Sequence, residues 1–138
     1  MTKDYDPDNV FAKIIRGELP CHKVWEDGRT FAFLDINPKT KGHALVLPKA
    51  SARNLLDCPP DDLTSTVMAV QLVARAAMKA FGADGVTILQ NNETAGGQEV
   101  FHLHFHIIPQ YAATQHGTMS TSQENLKKSA DRLSSFLA

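Results

Sequence analysis

The run Phe101-His102-Leu103-His104-Phe105-His106-Ile107-Ile108 constrains this chain more than any other segment. Apolar residues and histidines alternate strictly, and successive side chains of a strand point to opposite faces. The pattern predicts a strand from Val100 to Ile108, closed by Pro109, with His102, His104 and His106 on one face. Leu103, Phe105 and Ile107 take the other, which must be the core face packed by a helix. Lysine, glutamate or threonine would solvate such a face better, so three imidazoles call for a chemical explanation.

Three explanations compete. A metal site is disfavoured by geometry, because the outer two histidines start roughly 13 Å apart. Zn–N bonds of about 2 Å would make both lean in around the middle one. Two alternate histidines with a ligand from elsewhere would serve, but Ile108-Pro109-Gln110 lacks the glutamate of a cupin-type site. Nucleophilic catalysis is the second, since neutral imidazole attacks phosphorus near neutral pH. Flanking histidines could hold its tautomer and donate to phosphate oxygens. A histidine-rich face with no chemistry is the third.

The rest of the chain reads as one α+β domain with a mostly antiparallel five-stranded sheet. Its 138 residues suffice for a core without disulfides, and 43% hydrophobic residues exclude wholesale disorder. Asp8 can cap a short helix with Val10, Phe11, Ile14 and Ile15 on one face, ended before Gly17. Strands over 22–26 and 30–35 join through Asp27-Gly28, and a third runs from His43 to Leu47. A long helix over 60–81 carries the stripe Leu63, Val67, Val70, Val73, Ala74, Ala77 and Phe81, and Gly82 ends it. A strand over 86–90 and a glycine-bearing loop over 91–98 follow. After the linker-like residues 112–121, Thr121 and Glu124 suggest a capping box for a last helix with Leu126, Ala130, Leu133 and Leu137 inward.

Charge and cysteine usage narrow the function classes. A net charge of −1 argues against a nucleic-acid binder held by a basic field. No segment suits a membrane span, and the polar, acidic start does not read as a signal or transit peptide. Cys21 and Cys58 cannot frame a disulfide scaffold and fit a reducing compartment, so a cytoplasmic location is expected. Around the histidine strand, Gly96-Gly97-Gln98 could offer backbone N–H groups to a phosphate. Asn91 and Asn92 could donate to phosphate or leaving group, or simply form a turn. Asp35 could accept from both ribose hydroxyls, with Ile36, Ile14 and Phe11 walling a base, or could cap a turn.

The histidine run, followed by Ile107 and Ile108, resembles the motif of the histidine triad (HIT) family. Blocks from Phe11 to Pro20, Phe33 to Pro38, Gly42 to Lys49 and Asn91 to Val100 extend the likeness, in family order, over roughly residues 10–110. The chain is most similar to the Hint-like branch, the histidine triad nucleotide-binding proteins. That resemblance implies a HIT-like fold over residues 1–110, with 111–138 a C-terminal extension whose helix packs on the same domain. It also implies a homodimer whose sheets continue across the interface, with a purine-nucleotide site on each subunit. His104 matches the nucleophile, His102 and His106 its positioning and phosphate-contacting neighbours, and His43 a supporting fourth histidine. Asp35 falls at the ribose position, and Phe11, Ile14, Phe33, Ile36 and Leu45 line the base and ribose pocket. Asn91, Gly97, Gln98, Glu99 and Val100 fall at the phosphate and leaving-group positions.

The implied activity is hydrolysis at the α-phosphorus of a purine nucleoside phosphoramidate or related adenylate through a nucleotidyl-histidine, with no cofactor. A dinucleoside polyphosphate hydrolase and a nucleotide-binding module with negligible turnover are the alternatives. The sequence departs from the family pattern in two ways. Glu99 stands where relatives often carry serine or threonine. Asn9, Ala12 and Ser51 stand where many bacterial relatives hold the non-triad ligands of a structural zinc, so no metal is expected. His22 and His116 fall outside the proposed site and are expected at the surface or in local turns.

Overall fold

A computed structural model describes residues 4–112 and 122–137. In chain order its elements are α1 (Val10–Ile15), β1 (Lys23–Glu26), β2 (Thr30–Leu34), β3 (Ala44–Pro48), α2 (Pro60–Phe81), β4 (Gly85–Leu89), β5 (Phe105–Gln110) and α3 (Gln123–Ser135). The strands form one five-stranded sheet in the order β1-β2-β3-β5-β4, every neighbouring pair antiparallel. Among the described residues no helix is long and apolar enough to cross a membrane.

Side-chain alternation sends β2 and β3 into two cores. Ala32, Leu34, Ala44 and Val46 face α2, where Val70, Val73, Ala74 and Ala77 meet them. Phe31, Phe33, Leu45 and Leu47 face the opposite way and pack under Phe11, Ile14 and Ile15 of α1. His106 is level with Leu45 of β3 and Leu89 of β4, so α1 and the histidines share that second face. Burial of the first core is what fixes the sheet; the second core forms the floor of a site.

Several local expectations change. Asn9, rather than Asp8, caps α1: its side-chain oxygen accepts the Ala12 N–H at 2.9 Å, while the Asp8 N–H donates to Asp6. In α2 the buried line runs through Thr66, Ala69, Val73, Ala76, Ala77 and Ala80, and Val67 stands 48% exposed. Small side chains let the helix lie close to the sheet, which turns the larger Val67 onto its flank. Gly82 takes the left-handed conformation that ends α2. Ser122 caps α3 by accepting the Asn125 N–H at 3.1 Å; Thr121, like His116, lies outside the described residues. Leu126, Ala130 and Leu133 are buried, and α3 packs against α2 and β1. His22 pairs through Nε2 with Gln123 of α3 at 2.6 Å.

The largest revision concerns the histidine strand itself. Regular pairing begins only at Phe105 and continues through Pro109 to Gln110. Upstream, the Leu103 N–H donates to the Ala52 carbonyl and His102 bonds to the Pro48 carbonyl. Residues 100–104 are therefore held by the end of β3 and the segment after it, and leave the ladder. Phe105 and Ile107 do face the α2 core, as the alternation requires.

Candidate active site

A cavity of about 550 Å³ opens on the α1 side of the sheet. Phe33 and Leu45 rise from β2 and β3, Phe11 and Ile14 come from α1, and Asp35 and Ile36 follow the end of β2. His43 just before β3, His104 just before β5 and His106 within β5 border it as well. Asn91, Gly97, Glu99 and Val100 border it from the loop before β5. Thirteen of the fifteen residues that the family resemblance places at the site thus surround one cavity, whereas Gly96 and Asn92 do not border it. Val10, Leu19, Pro20, Cys21, Asn37, Lys39 and Leu89 also line it and were not anticipated. Val10 and Leu19 could have been found as apolar residues that α1 and its following turn leave without a core partner.

Of those fifteen, His102 and Gln98 are the two that do not border the cavity. His102 is 1% exposed, with Nε2 bonded to the Pro48 carbonyl at 2.7 Å and Nδ1 to the Tyr5 hydroxyl at 2.6 Å. A carbonyl only accepts, so Nε2 carries the hydrogen and Nδ1 accepts from Tyr5. Gln98 donates to the Arg53 and Val100 carbonyls and accepts from the Glu93 N–H and the Asn54 amide. Its side chain organises the loop and has no donor left for a phosphate.

The same accounting sets the other tautomers. His104 Nδ1 lies 2.7 Å from the His102 carbonyl, so the hydrogen sits on Nδ1 and the lone pair on Nε2. The Phe11 ring meets the His104 ring edge-on, with centroids 4.9 Å apart, which limits its rotation. His43 Nδ1 accepts the Lys39 backbone N–H at 3.1 Å, placing its hydrogen on Nε2. That hydrogen points to His106 Nδ1 at 3.0 Å, with the Asp35 carboxylate at 3.6 Å. His106 therefore keeps a hydrogen on Nε2. Asp35 also caps its turn, accepting the Asn37 N–H at 2.8 Å, so both expectations for it are compatible.

Burial keeps these imidazoles neutral. It pushes His102 down to about 4 and, with the neighbouring His104, His43 and Lys39, His106 down to about 3. His43 and His104 are also lowered, mainly by burial, against the opposing pull of the Asp35 carboxylate. A neutral, oriented imidazole with a free lone pair on Nε2 of His104 results at neutral pH.

Asp35, His43 and His106 bring their ligand atoms within 4.8 Å of one another, a spacing that would admit a metal ion. The donor set fits one poorly. Lys39 occupies the Nδ1 lone pair of His43, and Nε2, the atom turned to the cluster, carries the hydrogen. Asn9, which caps α1, and Ala12, which is buried in it, are engaged in the helix itself. A second hollow of about 550 Å³ lies between β1 and the end of α3, bordered by Trp25, Lys49 and Leu137 but by no histidine.

The profile of the HIT domain family matches residues 16–113. The chain is 45% identical over 102 residues to the adenylylsulfatase HINT3 of Arabidopsis thaliana, covering 74% of this chain and 52% of that protein. It is 42% identical over 100 residues to the adenosine 5'-monophosphoramidase HNT1 of Saccharomyces cerevisiae, covering 72% and 61%. A crystal structure of a HIT-like protein from Bartonella henselae superimposes with a TM-score of 0.91 at 46% identity, covering 97% of this chain and all of that one. Sequence, fold and the arrangement of histidines agree: the chain belongs to the HIT domain family.

Proposed function

We propose that the chain is a nucleotide hydrolase that acts at the α-phosphorus of purine nucleoside phosphoramidates or related adenylates. One observation carries this reading: His104 Nδ1 is committed to a backbone carbonyl, which leaves the Nε2 lone pair of a neutral imidazole at a cavity bordered by polar groups. The names of the relatives support it, since an adenylylsulfatase and a monophosphoramidase both release an adenylate from a leaving group.

His104 Nε2 bonds to phosphorus as the bond to the leaving group breaks, and a leaving amine departs with a proton from water. Water then attacks the same phosphorus, the N–P bond breaks, and nucleoside monophosphate leaves with His104 neutral again. His106 Nε2–H is the donor for a phosphate oxygen, and Asp35 accepts from the ribose while apolar Phe11, Phe33, Ile36 and Leu45 hold the base. Fixed donors at a developing charge are typically worth about 3–4 kcal/mol each. The reaction needs positioning above all, which the committed tautomers supply.

We further propose that the protein works as a homodimer. β4 is an outer strand with Ile88 exposed, and α2 turns Val67, Met68 and Leu72 outward. Exposed apolar residues on an outer strand and on a helix suit pairing with a second copy.

Turnover of an adenosine phosphoramidate, adenylyl sulfate and a diadenosine polyphosphate by the purified protein tests the substrate class. Faster hydrolysis of either mononucleotide than of the dinucleotide is expected. Preference for the dinucleotide would point to the polyphosphate hydrolase, and binding of adenosine monophosphate without any turnover to a binding module.

A further inference from the structure

Glu93 has φ 64° and ψ 164°, and it is the only non-glycine residue at positive φ among the described residues. That region of backbone space is essentially reserved for glycine and persists elsewhere only where the surroundings over-determine it. Here they do. The Glu93 carboxylate accepts from Arg53 Nε at 2.8 Å, from a second guanidinium nitrogen at 2.9 Å and from Asn54 Nδ2 at 2.7 Å. Arg53 is buried and stacks 4.1 Å over the Phe101 ring, next to His102. The Glu93 N–H donates to Gln98 Oε1 at 2.8 Å, and the Gln98 N–H returns to the Glu93 carbonyl at 3.0 Å. The loop is thus closed on itself and tied to the segment after β3.

We propose that Glu93 is a positioning residue: gripped by Arg53 and Asn54, it holds the loop in the path that presents Asn91, Gly97, Glu99 and Val100 to the cavity. None of Glu93, Arg53 and Asn54 borders the cavity, so the effect travels through the loop. A salt bridge kept for stability alone is a weak alternative, because a partly buried ion pair seldom outperforms apolar packing. It would also leave unexplained why the carboxylate sits on a backbone that glycine would adopt freely. The kinetic consequence rests on the hydrolase reading; the structural one does not.

Glu93→Gly separates the two roles, since it relieves the backbone while removing the grip, and Glu93→Ala removes the grip alone. Arg53→Lys keeps the charge and loses the two-pronged contact. The expected result is a fall in kcat/KM of about tenfold to a hundredfold in all three variants. Glu93→Gly should melt higher than Glu93→Ala and still be impaired. Amide exchange at Gly97 and Gln98, followed without substrate, should accelerate in each variant. A kcat/KM for Glu93→Gly within about twofold of wild type, or unchanged exchange, overturns the proposal. If the wild-type protein turns over no substrate, the hydrolase reading fails by itself. The clamp is then judged on exchange alone, where acceleration supports it and constancy overturns it.

Discussion

His104 Nδ1 and the carbonyl oxygen of His102 lie 2.7 Å apart. Through this contact an innermost histidine that never reaches the cavity fixes the ring that does. His102 is itself anchored at both nitrogens, by Pro48 and by Tyr5. The chain of contacts runs from the N-terminal segment through a buried imidazole and its backbone to the lone pair of His104. His106 is fixed from the other side, through His43 and the Lys39 backbone N–H. In these four histidines, every ring nitrogen that meets protein has its hydrogen assigned by a backbone group or by a neighbour so assigned.

Removing His43 should loosen His106 without touching His104. His43→Ala leaves the Lys39 N–H without its buried acceptor and His106 Nδ1 without a donor, an unsatisfied pair costing about 1–3 kcal/mol. The expected outcome is a lower melting temperature together with a kcat reduced by about tenfold to a hundredfold. Steady-state kinetics at a temperature well below the melting point separates the two effects.

Acid should destabilise the fold earlier than carboxylate titration alone would. An unfolded histidine takes up its proton near 6.5, whereas His102 and His106 in the fold do so only at about 4 and about 3. Between those values the unfolded chain binds more protons, so stability falls as pH drops below 6.5 and is insensitive to these groups above it. Thermal melts from pH 8 to pH 3 should show this slope. His102→Phe, which cannot bind a proton, should flatten it, and an unchanged slope would contradict the assignment.

The cap of α1 offers a test with a built-in control. Asn9→Ala removes the acceptor of the Ala12 N–H and should cost about 1 kcal/mol. Asp8→Ala touches only an exposed turn and should stay within about 0.5 kcal/mol of wild type. Chemical denaturation measures both.

Legibility in the sequence varied with how local the cause was. Alternation identified Phe105 and Ile107 as core, and the periodic run from Leu63 to Phe81 was legible as α2 because Pro60 and Gly82 punctuate it. The start of the histidine strand was not legible. It depends on bonds from Leu103 to Ala52 and from His102 to Pro48, across about fifty residues of chain. His102 looked equivalent to His104 and His106 for the same reason. Alternation reports a face, whereas burial beneath Tyr5 is a tertiary event. Glu93 was invisible because nothing in a sequence marks positive φ at a glutamate. Asn9 and Asp8 are both good capping residues, and only the hydrogen bond to Ala12 decides between them.

The nucleophile assignment is most directly tested by intact-mass analysis of protein quenched during turnover of an adenosine phosphoramidate. Wild-type protein should carry one nucleotidyl group, located on His104 by peptide mapping, and His104→Ala should carry none and release no monophosphate. Unimpaired turnover by His104→Ala, or an adduct on another residue, would contradict the mechanism.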